Sequence, residues 1–180
     1  MEEKRITHYL SSHKILLVGE GDFSFSLCLA NAFGTAGNMI ATSLDSRVSL
    51  GIKYARALSN LTELEALGCT IVHEVDVHTM TQHPLLKNQV FDRVIYNFPH
   101  AGFIGREIDD YQIRLHKKLV SGFLSNAKYL LSSCGQIHIT HKTSHPFSNW
   151  NIKELAINGD LVLVGEVEFY QHLYPGYNNK

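Results

Sequence analysis

The sequence predicts an α/β domain with a mostly parallel central sheet covered by helices on both faces. Two observations lead to this reading. Short apolar runs of strand length alternate with longer segments of helical spacing, the pattern of βαβ units around a sheet buried on both sides. No linker, repeat or low-complexity stretch interrupts the 180 residues, and only four prolines occur, so one domain is expected, large enough to bury a core.

Lys14–Val18 reads as the first strand, ended by Gly19-Glu20-Gly21-Asp22 and followed by a helix over Phe23–Phe33 that Gly34 stops. Met39–Leu44 is the second strand and ends at Asp45. Val48, Ile52, Ala55, Leu58, Leu61 and Leu64 keep helical spacing, which predicts one helix from Val48 to Leu67 closed by Gly68. Thr70–Val75 is strand three, and a helical patch follows near Gln82–Lys87. Phe91–Tyr96 is strand four, which Pro99 bars from continuing. Ile108, Tyr111, Leu115, Leu119, Phe123, Ala127 and Leu130 mark a long helix ended by Ser132–Gly135, with strand five at Gln136–Thr140. A helix at Ile152–Asn158, a strand at Leu161–Phe169 and a polar, aromatic tail complete the chain. Residues 1–13 form an N-terminal extension and 14–180 the domain.

Composition narrows the function classes. Sixteen basic and 17 acidic side chains give a net charge of −1, so nucleic acid would have to be held by a local site rather than by overall charge. No apolar run reaches membrane-spanning length. Three scattered cysteines, Cys28, Cys69 and Cys134, suit neither a disulfide framework nor a zinc ribbon, and the start has no signal-peptide pattern, so a reducing compartment is expected. Among the 11 histidines, His138, His141 and His145 lie near Cys134 but match no zinc spacing, and no metal is expected. No Gly-x-Ser-x-Gly or Walker A pattern is present.

Gly19-Glu20-Gly21 joins the first strand to the first helix, where backbone approaches a ligand and helix amides face it. The dinucleotide fingerprint wants Gly or Ala where Ser24 stands, and Asp22 sets a carboxylate at the helix start that would repel a diphosphate. The loop therefore favours a ligand without phosphate, and S-adenosylmethionine fits. Asp45, at the end of strand two, is where such folds hold ribose hydroxyls, and Asp76 with Val77 follows strand three where the adenine amine is met. The plain alternative for each acid is a solvated helix cap. Asn97-Phe98-Pro99-His100 lies at the sheet's switch point and offers an amide, a carbonyl and rings to a planar nitrogen heterocycle, in the manner of the Asn/Asp-Pro-Pro-Tyr motif of amino-group methyltransferases. The alternative there is an ordinary strand exit. Arg114, Lys117 and Lys118 share a helical face able to meet phosphates, or simply to be solvated.

Leu17 to Ser26, which includes Phe23, Ser24 and Phe25, together with Asn97–His100 and Tyr174-Pro175-Gly176-Tyr177-Asn178, resembles the Rossmann-like family of the eukaryotic large-subunit rRNA (uridine-N3)-methyltransferase over Lys14–Lys180. The resemblance implies a class I S-adenosylmethionine-dependent three-layer sandwich, methyl transfer to uridine N3 in ribosomal RNA, and a nuclear, nucleolar or cytoplasmic location. It implies that Gly19 to Phe25, Asp45, Asp76 and Val77 meet the cofactor and that Asn97, Phe98, Pro99 and His100 form the catalytic site. Of these, His100 would assist deprotonation. Arg114, Lys117, Lys118, Tyr174 and Tyr177 would contact substrate, and a monomer is expected. The chain leaves little room after Phe169 for a seventh strand, so the last strand is expected to be short or missing. The competing readings are an NAD-dependent oxidoreductase, a non-catalytic RNA- or protein-binding module of the same fold, and a methyltransferase with another acceptor.

Overall fold

In the computed structural model, which describes residues 2–179, β3 (Ile15–Val18) lies at the centre of a five-stranded parallel sheet. Its partners are β4 (Met39–Thr42) on one side and β6 (Phe91–Asn97) on the other, with β5 (Thr70–Val72) and β7 (Leu131–Thr140) at the edges. Every ladder in it is parallel. Ahead of it, β1 (Arg5–Ile6) and β2 (Tyr9–Leu10) form a small antiparallel hairpin.

All four residues of β3 are buried because the strand is covered on both sides. Ile15 and Leu17 join the core against α1 (Ser24–Phe33) and α3 (Ala57–Ala66), while Leu16 and Val18 join the core against α4 (Asp110–Ala127). Alternation along the strand thus sends successive side chains to opposite layers. Buried residues on α4 recur at Ile113, His116, Val120, Phe123, Leu124 and Ala127, one stripe of three- and four-residue steps. Gly34 ends α1 in the left-handed conformation at φ 74°, its N–H bonded to Ala30 O at 2.8 Å.

The element bounds differ from expectation at five places. The helical patch expected near Gln82–Lys87 is a single 3₁₀ turn at Met80–Gln82 followed by turns, and strand three ends at Val72 rather than Val75. The expected helix over Val48–Leu67 is two, α2 (Arg47–Lys53) and α3, because Tyr54 is extended at φ −133°. Val48 and Ile52, expected in the core, are exposed. The long helix ends at Ala127, and β7 begins at Leu131, so Ser132–Gly135 belongs to a strand rather than to a helix stop. The strand expected at Leu161–Phe169 is absent: beyond α5 (Ile152–Asn158), residues 162–168 are exposed and make no ladder bond. The run pairs with neither outer edge of the sheet, β5 or β7, and local propensity alone does not make a strand. The sheet therefore stops at β7, consistent with a missing last strand. The N-terminal extension packs on the domain within residues 2–13, where Tyr9 is buried in the core and Thr7 Oγ1 lies 2.9 Å from Tyr174 Oη. Among the described residues no helix is long and apolar enough to cross a membrane.

Candidate functional site

The carboxyl ends of β3 and β6 open on a cavity of about 180 Å³ lined by the Gly19–Asp22 turn, Asn97, Phe98 and His100, with Tyr54, Tyr96 and Tyr177–Asn179 completing the wall. Two distant sequence motifs thus face one space, at the position where parallel α/β sheets bind ligands.

Gly19 makes the turn possible. Its φ is +65°, and a Cβ there would lie 2.3 Å from a ring carbon of Tyr96. Glu20 donates its N–H to Thr42 O, and its carboxyl accepts from Ser26 N at 3.4 Å. Burial pushes that carboxyl up to about 7 despite the Ser26 hydrogen bonds, with Asp22 adding repulsion. Asp22 is buried, and its Oδ1 accepts the N–H of Ser24, which ties the carboxylate to the start of α1. Its backbone carbonyl accepts from Asn60 Nδ2 at 2.8 Å.

Phe23 and Phe25 do not face the cavity; both are core residues, and Phe23 takes a left-handed φ of +61°. Ser24 serves the tail instead of a ligand: its Oγ accepts from Asn178 N at 2.9 Å and lies 3.4 Å from Asn178 O. Asp45 follows β4 outside the cavity lining, with its carboxylate paired to Lys53 Nζ. Asp76 is also outside the lining; its Oδ1 accepts from His78 N, and Val77 is buried in the α4-side core.

At the end of β6, Asn97 Oδ1 accepts from Thr140 Oγ1 at 2.8 Å, whereas Nδ2 is buried with no partner among the described residues. Phe98 sits at φ +46° and donates its N–H to Thr140 O. A phenylalanine in this region carries a cost of about 1–3 kcal/mol, a form of strain that collects at working sites. Pro99 is buried.

The structure corrects two of the expected roles. Both ring nitrogens of His100 are engaged, Nδ1 accepting from Gly102 N at 3.0 Å and Nε2 facing Glu107 Oε1 at 2.5 Å, so the ring has no free lone pair with which to take a substrate proton. Tyr174 cannot pack on a base, because it is buried in the core, stacked on Phe169 at 5.3 Å; Tyr177 does reach the cavity. Arg114, Lys117 and Lys118 lie along α4 and do not line the cavity; Arg114 packs its guanidinium 5.8 Å from the Tyr111 ring. The histidines near Cys134 do not converge either: His138 pairs with Tyr9 and Gln136, and His141 with Phe147 O.

Sequence reasoning missed Tyr54, Tyr96, Asn178 and Asn179. Tyr54 reaches the cavity through the helix break, at which no proline or glycine stands, the nearest being Gly51 inside α2, and Tyr96 is the strand residue directly before Asn97. Asn178 belongs to the quoted aromatic tail motif.

The family model described as BMT5-like, rRNA (uridine-N3-)-methyltransferase BTM5-like, matches residues 16–180. An uncharacterized protein of Arabidopsis thaliana is 56% identical over 182 residues, which cover 100% of this chain and 87% of that protein. The heavy metal-associated isoprenylated plant protein 41 of the same plant is 52% identical, over 99% of this chain but 35% of its own length. The 25S rRNA (uridine(2634)-N(3))-methyltransferase of Saccharomyces cerevisiae is 24% identical, over 73% of this chain and 45% of its own. The chain thus spans most of the first relative and less than half of the other two. Among solved structures, one described as a methyltransferase complexed with SAH matches with a TM-score of 0.52 and 17% identity, over 80% of this chain and 35% of that one. A short-chain dehydrogenase from Oenococcus oeni matches with a TM-score of 0.53 and 11% identity, over 86% and 78%. At these identities the likeness carries the fold alone, a Rossmann-like three-layer α/β sandwich.

Proposed function

Because the chain belongs to the BMT5-like family of rRNA (uridine-N3-)-methyltransferases, we propose that it transfers a methyl group from S-adenosylmethionine to N3 of a uridine in large-subunit ribosomal RNA. The observation that carries this reading is the convergence of the glycine turn and the Asn97–His100 strand exit on one cavity. Such RNA would be met in the nucleolus, nucleus or cytoplasm.

The residues present fit the cofactor. Gly19 lets the Tyr96 ring pack against the turn, and at Gly21 a Cβ would come no closer than 3.6 Å to Tyr54, so that part of the turn can approach a ligand. Glu20 offers a carboxylate to an amino-acid ammonium and a neighbouring sulfonium, and the ionised form would be favoured by that charge. Asp45 remains the candidate for the ribose hydroxyls: its partner Lys53 is half exposed, and such a surface pair is weak enough to be displaced. Asp76 remains the candidate for the adenine amine. When bound, the cofactor supplies an electrophilic methyl on sulfur, and transfer is a displacement helped mainly by alignment.

On the acceptor side, Asn97 lines the cavity, and its buried Nδ2, partnerless among the described residues, would donate to a uracil carbonyl oxygen that reaches it as N3 gives its proton to solvent and negative charge builds on that oxygen. Phe98 and Tyr177 give the base aromatic walls, and recognition of a splayed-out base by stacking is the common mode in RNA. Arg114, Lys117 and Lys118 would act on phosphates outside the cavity.

The deciding experiment is calorimetric titration with SAH and with NAD, followed by methyl transfer to a large-subunit rRNA fragment and nucleoside analysis of the product. Binding of SAH but not NAD, with 3-methyluridine formed and lost in Asn97→Ala, is expected. A folded protein that ignores SAH, or that binds it and methylates no uridine, removes the proposal.

A further inference from the structure

Glu107 joins the loop after β6 to α4 through two histidines. Its Oε1 meets His100 Nε2 at 2.5 Å and its Oε2 meets His116 Nε2 at 3.1 Å. On the far side of each ring, Nδ1 accepts a backbone N–H, from Gly102 to His100 at 3.0 Å and from Ala101 to His116 at 3.1 Å. A neutral imidazole carries one N–H. With both Nδ1 atoms accepting, both protons are on Nε2, and both point at the same carboxylate.

The surroundings fix this arrangement. His116 is fully buried and stacked on Trp150, ring centres 4.2 Å apart at 20°. Gln112, also fully buried, holds the loop: Oε1 accepts from Ile104 N and Gly105 N, and Nε2 donates to Gly102 O at 2.6 Å; the same Nε2 lies 3.1 Å from His116 Nε2, a donor against a donor, which leaves Glu107 Oε2 as the acceptor for the His116 proton. Burial works against ionisation of Glu107, yet its hydrogen bonds from His100 and His116 help hold the carboxyl below its usual range. Burial lowers His116, which favours the neutral ring.

The same three side chains could be read as metal ligands, since their ligand atoms lie within 4.8 Å of one another. The donor set does not fit. A metal at Nε2 needs the proton on Nδ1, donating to an acceptor. Here Nδ1 of each ring faces an amide N–H, so coordination would set two N–H groups against each other.

We propose that Glu107 and His116 are positioning residues: one carboxylate locks His100 and His116 as Nε2–H tautomers and thereby fixes the Asn97–His100 wall against which the acceptor base is held. His100 lines the cavity, whereas His116 and Glu107 act through it. The catalytic part of this inference rests on the methyltransferase reading above, and the tautomeric part does not.

Long-range ¹H–¹⁵N spectra of the imidazoles in the folded full chain test the lock directly. Nε2–H signatures for both His100 and His116, unmoved by one equivalent of zinc, are expected; an Nδ1–H signature for either ring, or stoichiometric zinc binding to them, overturns it. In the transfer assay, Glu107→Ala should keep SAH affinity within about twofold while kcat falls on the order of 10²-fold, the scale of an ångström-level misplacement. Glu107→Gln, which keeps one acceptor, should fall between Ala and wild type. Turnover of a folded Glu107→Ala within twofold of wild type, or a kcat loss matched by equal loss of SAH affinity, refutes the positioning role. Should the wild-type protein transfer no methyl, the function reading fails, and the spectra still decide the lock.

Discussion

Glu20→Gln separates what the glycine turn does for the fold from what it does for the ligand. In the folded protein the Glu20 carboxyl is pushed from 4.5 up to about 7, chiefly by burial. The unfolded chain therefore gives up this proton first as pH rises. Stability from Glu20 is full below about 4.5 and is lost as pH climbs through about 7. A gap of about 2.5 pH units, at 1.36 kcal/mol each, is about 3 kcal/mol of ionisation penalty in the ligand-free protein above pH 7. Glutamine keeps the shape and an acceptor for Ser26 N but cannot ionise. The variant should match wild type at pH 4 and be more stable at pH 8, by roughly 6–12 °C in Tm at 2–4 °C per kcal/mol for a domain of this size. SAH should reverse the ranking, because its ammonium needs the carboxylate: wild type gains stability from the ligand at pH 8 and the variant gains much less. Thermal denaturation at both pH values, with and without SAH, measures all of this. A glutamine variant no more stable than wild type at pH 8, or equally stabilised at pH 4 and pH 8, refutes the account of the buried carboxyl. Full SAH stabilisation of the variant refutes the assigned contact.

Burial lowers His138 from 6.5 to about 4, with the charges of His8, Arg93 and His13 adding to it. Stability from His138 is present above about 6.5 and lost as pH falls toward 4, by at most about 3 kcal/mol; the difference between wild-type and His138→Gln denaturation curves across that range should show it, and a flat difference counts against it. Gly19→Ala forces a Cβ into the Tyr96 ring at a positive φ and should cost on the order of 1–3 kcal/mol in urea denaturation; Tyr96→Phe should give no rescue, since ring carbons make the clash. Ser24→Ala removes both contacts to Asn178 and should speed hydrogen exchange at the Asn178 amide by about tenfold, the equivalent of one ordinary hydrogen bond, leaving the core amides of β3 unchanged.

The sheet was readable because its strands are short apolar runs between glycines and acids, and period-2 burial on both faces leaves that signature wherever it occurs. Ile15 to Val18 and Phe91 to Asn97 fall within a residue of where the sequence puts them. The apolar run at Leu161–Phe169 carries the same signature and forms no strand, because local propensity does not supply a pairing partner. The helix break at Tyr54 was likewise invisible, since the apolar spacing runs straight through it.

The sequence by itself determined the Rossmann-like order, the glycine turn and the Asn97–His100 exit, since each follows from residue types within a few positions of one another. Only the tertiary structure decided what those residues touch. His100 looked like a free base until Glu107, seven residues on, and Gly102 took both its nitrogens; Ser24 looked like a flaw in a phosphate loop until Asn178, 154 residues away, came to bond it. A side chain's chemistry depends on which partners hold its protons and lone pairs, and those partners are set by the packing of distant segments.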